Sequence, residues 1–169
     1  NTGFASQQVE TVMAYNGATQ YLLGAAGSII YKCDATTASA VVTSQQNARF
    51  QYVNFTPASG VPYIVACNGQ DGVWNYDGSN WSHPSISGFS ASNAIHVNVF
   101  KQRLWFVEDN TLKAWYLNAQ SIAGTASAVD LSQFTRMGGE LVAMGTWTLD
   151  AGQGVDDYAV FVTSEGEVI

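Results

Sequence analysis

Four segments of the chain share one pattern of hydrophobic and polar residues. Each has an apolar strand, a tight polar turn and a second strand, at residues 21–31, 63–76, 104–116 and 158–169. The turns contain Gly, Asn or Asp, which tolerate the positive φ that short hairpins require. The pattern therefore predicts four antiparallel β-hairpins.

A further strand is predicted before each hairpin, and a weaker one after each of the first three. The leading strands are expected at residues 9–15, 50–55, 95–100 and 141–149. The trailing strands are expected at residues 40–44, around Trp81 and at residues 128–131. Turns recur at intervals of roughly 40 to 55 residues, close to the periods of propeller and kelch repeats. The repeating unit is therefore a four-stranded antiparallel sheet.

The second strand of each unit is apolar at consecutive positions instead of alternating with polar residues. Such a strand is buried on both faces and needs a neighbouring sheet on each side. Radially stacked sheets supply both neighbours. The pattern therefore favours an all-β, β-propeller-like fold with about 3.5 four-stranded antiparallel blades.

We expect a single partial propeller domain over residues 1–169. Its approximate blades span residues 9–46, 48–88, 94–134 and 140–169, the last truncated within its third strand. Loops are expected at residues 78–93 and 118–125. Propellers close on themselves, typically with at least about four blades, so we expect a fragment of a larger propeller. A ring completed by a second copy is the alternative.

Charged residues are scarce, and this narrows the classes of partner. They make up 11% of the chain, against roughly 25% in ordinary domains. The net charge is −7, from six basic and thirteen acidic residues. Because nucleic-acid affinity rests largely on Lys and Arg releasing counterions, tight nucleic-acid binding is not expected. No apolar run approaches the roughly 18 residues of a membrane span, so none is predicted.

The last third of the chain resembles a known class of protein. The residues that carry the resemblance are 104–107, 115–117, 129–132, 137–143, 146–157 and 160–168. They resemble structural proteins of tailed bacteriophages and prophages, which are similar to the propeller-bearing nozzle or hub proteins of short-tailed phages. The resemblance covers residues 95–169, whereas the first half shares only the strand pattern.

The resemblance implies a non-catalytic structural protein of the virion, part of a tail or tail hub, made in the bacterial cytoplasm. Its partners would be other copies of itself and other tail proteins. In such proteins a ring of subunits extends the portal and forms the distal tail channel. No cofactor and no catalytic residue are implied.

The acidic loop near the end of the chain is a weak candidate calcium site. Asp150, Asp156 and Asp157 flank glycines that could turn backbone oxygens toward a cation. A solvated loop, in which the carboxylates bond their own backbone, is the favoured interpretation. Six carboxylates follow Arg136 without a basic residue: Glu140, Asp150, Asp156, Asp157, Glu165 and Glu167. If these carboxylates faced a tail channel, their negative charge would keep the passing DNA from adhering.

Trp81 is the candidate ligand contact, because it is the one tryptophan predicted outside the main strands. An exposed indole ring can stack on a sugar, so the alternative function is a carbohydrate-binding β-propeller module. Glycan binding is less favoured, because Trp81 has no counterpart in the third unit.

An enzyme on a propeller scaffold is the third hypothesis, and the chain is not expected to be one. Arg49, Arg103 and Arg136 lie in different repeats, but the sialidase turn motif is absent. His83 and His96 have no neighbouring Cys or acidic residue to form a relay. Cys33 and Cys67 are expected to be buried thiols, with a single disulfide as the alternative.

Overall fold

The structure is a computed structural model that describes residues 7–33, 36–150 and 155–169, without the side chains at positions 149, 150, 155 and 156. It is all-β. The strands are β1 (Val9–Asn16), β2 (Gln20–Ala26), β3 (Ile29–Cys33), β4 (Ala38–Val42), β5 (Gln51–Phe55), β6 (Tyr63–Cys67), β7 (Val73–Tyr76), β8 (Trp81–Ser82), β9 (Ile86–Ser87), β10 (Ala94–Phe100), β11 (Arg103–Glu108), β12 (Lys113–Tyr116), β13 (Gly124–Thr125), β14 (Ser127–Asp130), β15 (Leu141–Asp150) and β16 (Val155–Thr163). One 3₁₀ turn, Ala91–Asn93, lies before β10.

Three antiparallel sheets of four strands follow one another along the chain. The first sheet has the order β1-β2-β3-β4, the second β5-β6-β7-β8 and the third β10-β11-β12-β14. The final hairpin pairs β15 with β16, and a bridge between Val162 and Val168 continues it. The predicted four-stranded antiparallel unit is therefore confirmed. The described residues form neither a closed barrel nor a closed propeller, so the propeller arrangement stays a prediction.

The turns have the backbone geometry that their residues predict. Asn110, between β11 and β12, has φ 58°, and Gly166, after β16, has φ 82°. Both values lie in the left-handed region that Gly and Asn adopt most readily. The first turn joins β11 to β12, and the second brings Val168 back to Val162 of β16.

The two regions predicted to be loops contain short strands that pair with each other. β9 and β13 form a parallel two-stranded sheet. The backbone N–H of Ala126 donates to the Ser87 carbonyl at 2.8 Å. Gly88 lies so close that a Cβ there would be 2.6 Å from the Ala126 carbonyl oxygen. Two-residue strands are too short to show an alternating pattern, so the sequence did not reveal this pairing.

An apolar core lies between each pair of consecutive sheets. The first core, between the first and second sheets, includes Met13, Leu23, Ile30, Ile64 and Ala66. The second core, between the second and third sheets, includes Val65, Cys67, Leu104, Phe106 and Leu117. The third core, between the third sheet and the final hairpin, includes Val107, Ala114, Leu141, Met144 and Phe161. Each sheet therefore packs on its neighbours in the chain.

The second strands of the middle sheets are buried on both faces, as their apolar pattern predicts. In β6, Ile64 lies in the first core while the next residue, Val65, lies in the second. In β11, Phe106 lies in the second core while Val107 lies in the third. Consecutive residues of a strand point to opposite faces, so each strand contributes to two cores.

The leading strands of successive sheets lie beside one another. β5 contacts both β1 and β10, and β10 also contacts β15. Asn54 of β5 donates from its side-chain amide to the carbonyl of Ala14 in β1 at 2.9 Å. Asn98 of β10 donates to the carbonyl of Met144 in β15 at 3.0 Å. Polar side chains on the leading strands thus join neighbouring sheets along one edge.

Candidate functional site

The candidate calcium loop lies largely outside the described residues. Residues 151–154 and the side chains of Asp150 and Asp156 are not described. Asp157 is exposed, and its carboxylate accepts a hydrogen bond from the Thr148 hydroxyl at 2.7 Å. Within the described part of the chain, no three His, Cys, Asp or Glu residues converge as metal ligands.

Of the carboxylates near the end of the chain, Glu167 has a structural role. Its carboxylate accepts hydrogen bonds from the backbone N–H groups of Arg136 and Met137 at 2.9 and 3.0 Å. Glu165 is exposed, and Glu140 is half-buried. Glu167 therefore stabilises the segment before β15, and its interactions differ from those of a solvated channel-facing charge.

Trp81 is half-buried, so it is not the exposed platform that the sequence indicated. Its ring stacks on Tyr76 with centroids 5.0 Å apart, and it meets Trp74 edge-on at 6.2 Å. These three rings border the first core. The pattern could not show this, because Trp81 lies in a two-residue strand whose ladder partner, Tyr76, is set by the β7–β8 turn.

A recess of about 420 Å³ remains beside Trp81, lined by Trp74, Ser79, Asn80 and two valines of the first sheet. The recess brings together aromatic rings, an amide and a hydroxyl. Sites that bind small polar ligands are lined by such groups. The indole N–H groups of Trp74 and Trp81 are buried and have no hydrogen-bond partner among the described residues. β14, which takes the place of β8 in the third sheet, has the sequence Ser-Ala-Val-Asp and carries no aromatic residue. The recess is therefore not repeated there.

The three arginines do not share a site. Arg49 forms an ion pair with Glu10 at 3.1 Å. Arg103 donates to the carbonyl of Leu117 at 3.2 Å and lies over the Tyr116 ring. Arg136 is exposed in the segment before β15. This arrangement does not form the triad that binds a carboxylate substrate.

The histidines bond backbone carbonyls and have no acidic partner among the described residues. His83 Nδ1 lies 2.9 Å from the Val73 carbonyl oxygen. His96 Nε2 lies 2.8 Å from the Met144 carbonyl oxygen, so Nε2 carries the hydrogen. Burial holds the pKa of His96 below its ordinary value. His96 is thus a neutral side chain that joins the third sheet to the final hairpin.

Neither cysteine is in a disulfide bond. Cys67 is fully buried in the second core, and burial raises the pKa of its thiol. Cys33 is half-buried at the end of β3. Cys67 behaves as a small apolar residue, as its position in an apolar strand predicts.

A buried tyrosine joins the first sheet to the second. The hydroxyl of Tyr15 lies 2.8 Å from the Asp77 carbonyl oxygen and 3.1 Å from that of Pro62. Burial raises the pKa of Tyr15, so the hydroxyl stays protonated and donates. Gly78 has φ 96°, and a Cβ there would lie 2.7 Å from the Tyr15 hydroxyl oxygen. Only glycine fits this close approach without displacing the tyrosine.

The two ends of the sheet series expose apolar faces. On the final hairpin, Trp147 lies opposite Tyr158, and their side chains are 61% and 49% exposed. With Val160 and Val168 they line a shallow apolar groove of about 330 Å³. We call this group of four residues the front patch. Contiguous exposed apolar surface of this kind marks interaction sites.

The first sheet has the second exposed apolar face. Val12 of β1 and Leu22 of β2 are 54% and 49% exposed, and Val9 is also exposed. Val12 lies opposite Gly24, and Leu22 lies opposite Ala14, so both side chains point away from the first core. We call Val9, Val12 and Leu22 the rear patch. Sequence periodicity did not distinguish these positions from the buried ones, because both faces of β2 are apolar.

No helix within the described residues is long and apolar enough to cross a membrane. No protein-family model, curated protein or solved structure matches the chain.

Proposed function

We propose that this chain is a non-catalytic structural protein of a bacteriophage virion, part of a tail or tail hub. Its sheets would be consecutive blades of a partial β-propeller. It would be made in the bacterial cytoplasm and incorporated into the virion. Its partners would be other copies of itself and other tail proteins.

The observation that carries this proposal is the serial packing of the sheets. Each core is shared by two consecutive sheets, and the leading strands lie side by side along one edge. Radial stacking of antiparallel sheets about a central axis has both properties.

The distribution of ionisable residues supports a structural role over a catalytic one. Within the described residues, the histidines bond backbone carbonyls and the arginines lie apart. An enzyme requires several ionisable groups in one pocket. Virion membership itself rests on the resemblance over residues 95–169.

Mass spectrometry of purified virions tests the proposal. Trypsin cleaves after Arg103 and Lys113, so residues 104–113 form a tryptic peptide suited to detection. We expect this peptide in density-gradient-purified virions from cells that make the protein, at a constant ratio to a portal peptide. A soluble host enzyme serves as the control for contamination. Finding the peptide in the lysate but not in the virions contradicts the proposal.

Carbohydrate binding is a second candidate function, favoured by the recess beside Trp81. The lining of Trp74, Ser79 and Asn80 suits a small glycan. Calorimetric titration with oligosaccharides, comparing the Asn80→Ala variant with the native chain, tests it. Asn80 is exposed, so the variant retains the fold. Heat of binding that Asn80→Ala abolishes supports the candidate, and no heat with any oligosaccharide rejects it.

A further inference from the structure

The chain contains two Asn-Gly pairs, and they lie in different surroundings. Asn16 ends β1, and Gly17 lies in the turn before β2. Asn68 and Gly69 lie in the turn between β6 and β7. An asparagine loses its side-chain amide most readily before glycine, because glycine has no side chain to hinder attack by its own backbone nitrogen. The surroundings of each pair therefore decide whether the folded chain permits this reaction.

The Asn68 pair is held by hydrogen bonds on both of its reacting groups. The backbone N–H of Gly69 donates to the Ala94 carbonyl at 2.8 Å. The side-chain oxygen of Asn68 accepts from the backbone N–H groups of Gln70 and Asp71 at 3.1 and 2.8 Å. The side-chain nitrogen of Asn68 donates to the Asp71 carboxylate at 2.5 Å. Attack by the Gly69 nitrogen on Asn68 Cγ requires these bonds to break first.

The reacting groups of the Asn16 pair are not held in this way. Asn16 is exposed, and its side-chain amide has no hydrogen-bond partner within the part of the chain that the structure describes. The backbone N–H of Gly17 has no partner among the same residues. The backbone N–H of Asn16 donates to the Asn54 side chain at 3.1 Å, but this group takes no part in the reaction. The Gly17 nitrogen can therefore approach Asn16 Cγ without breaking a hydrogen bond of its own.

We propose that Asn16 is a site of spontaneous deamidation in the folded chain and that Asn68 is protected. The Gly17 nitrogen loses its proton to hydroxide and attacks Cγ of Asn16, which closes a succinimide ring. The Cγ–Nδ2 bond breaks, and the side-chain nitrogen takes a proton from water and leaves as ammonia. Water then opens the ring at either carbonyl carbon, giving aspartate or isoaspartate. The net reaction consumes water, releases ammonia and involves no oxidation, and it does not depend on virion membership.

The product alters a turn that is packed against the junction of two sheets. A Cβ at Gly17 would lie 2.4 Å from Tyr15 Cε1, so this glycine packs directly on the tyrosine ring. The hydroxyl of Tyr15 joins the first sheet to the second through the carbonyls of Asp77 and Pro62. Isoaspartate adds a carbon to the backbone just before Gly17, and either product makes the net charge of −7 more negative. The modification therefore records the time since folding beside this junction.

The experiment incubates the 169-residue chain at mildly alkaline pH, once folded and once in concentrated guanidinium chloride. Trypsin then places the two pairs in separate peptides, residues 1–32 and 50–101. Mass spectrometry with electron-transfer fragmentation locates each deamidated residue and distinguishes isoaspartate from aspartate. In the folded chain we expect Asn16 to react at least about tenfold faster than Asn68, because the bonds around Asn68 must break first. In denaturant the two rates should agree within about twofold, because neither pair is then held.

The Asn16→Gln variant is the matched control. Glutamine carries the same amide on a side chain that is longer by a methylene group, so attack by the Gly17 nitrogen would close a larger ring and is much slower. Because the Asn16 side chain is exposed and has no partner among the described residues, the variant should keep the fold, which circular dichroism verifies. We expect no deamidation at position 16 of the variant over the period in which the native chain reacts.

Three outcomes overturn the proposal. Asn68 could react as fast as Asn16 in the folded chain, which would show that its hydrogen bonds give no protection. Asn16 could stay intact in the folded chain, which would show that the turn holds it. Asn16 could yield aspartate without isoaspartate, which indicates hydrolysis of the side chain without attack by Gly17. Each outcome is measured on the native chain, so none depends on the folding of a variant.

Discussion

Phe106→Ala removes the largest fully buried side chain among the described residues from the junction between the second and third sheets. Phe106 has no exposed surface and lies in the second core. Its ring centroid is 5.6 Å from that of Phe89, and its ladder partners are Val97 and Trp115. Residues from several strands surround it, so the site cannot collapse around the missing ring.

The expected loss follows from the buried area and from the cavity. A buried aromatic side chain removes roughly 150–250 Å² from water. At about 25 cal/mol per Å² this corresponds to roughly 4–6 kcal/mol as an upper bound. Core Phe→Ala changes cost about 3–5 kcal/mol. Since domains are stable by only about 5–15 kcal/mol, the variant should lose a large part of its stability.

Urea unfolding followed by tryptophan fluorescence measures the loss. With a slope of about 2 kcal/mol per M, the midpoint should fall by roughly 2 M. Phe134→Ala is the matched control, because it makes the same substitution at a side chain that is 63% exposed. Its free energy of unfolding should change by at most about 0.5 kcal/mol. Equal midpoints for the two variants would refute the assignment of Phe106 to a junction core.

Three further results are expected. Gly78→Ala should destabilise the fold by about 1–3 kcal/mol in thermal melts, because φ 96° is strained for alanine and its Cβ would displace Tyr15. The free energy of unfolding should fall as the pH drops below about 6.5, because burial lowers the pKa of His96 and the unfolded chain takes up the proton first. Urea titrations at a series of pH values below about 6.5 measure this fall, and the His96→Gln variant should not show it. The thiol of Cys67 should react with Ellman's reagent only after unfolding, because it is fully buried and its pKa is raised.

Matched variants test the cause in each case. Gly60 has φ 78°, but no atom lies within 4 Å of the position that a Cβ would take there, so Gly60→Ala carries the backbone strain alone. Equal losses for the two glycine variants would exclude a role for Tyr15 contact. The Cys33→Ser variant leaves Cys67 as the only thiol. Any reaction of this variant with Ellman's reagent under native conditions would show that Cys67 is accessible.

The fold elements were predictable from sequence wherever hydrophobic residues and turn residues agreed. The hairpin of β6 and β7 begins at Tyr63 and ends at Tyr76, as its apolar runs indicate. Apolar residues at consecutive positions also indicated that Val65 and its neighbours need a sheet on each side. The structure confirms this inference, since Ile64 lies in the first core and Val65 lies in the second. Such a run would be unstable with either face in water.

The candidate site could not be predicted in the same way. Trp81 looked exposed because it follows Ser79 and Asn80, but its ring packs on Tyr76 across the turn. The β9–β13 pair joins regions far apart in sequence through two-residue strands, which carry no periodic signal. The exposure of Trp147 depends on which sheets surround it. The hydrophobic and polar residues near Trp147 in the sequence do not determine this arrangement of sheets.

The order in which the sheets pack has a consequence for synthesis on the ribosome. Each four-stranded sheet is built from strands of one continuous segment of the chain, so a sheet can form soon after that segment emerges. Its face toward the following sheet stays apolar and exposed until the next unit, roughly 40–50 residues long, has been made. At about 5–20 residues per second, this interval lasts several seconds. During translation each sheet in turn therefore exposes an apolar face. Neighbouring nascent chains on one polysome can pack sheets of different chains together before each chain completes its own cores.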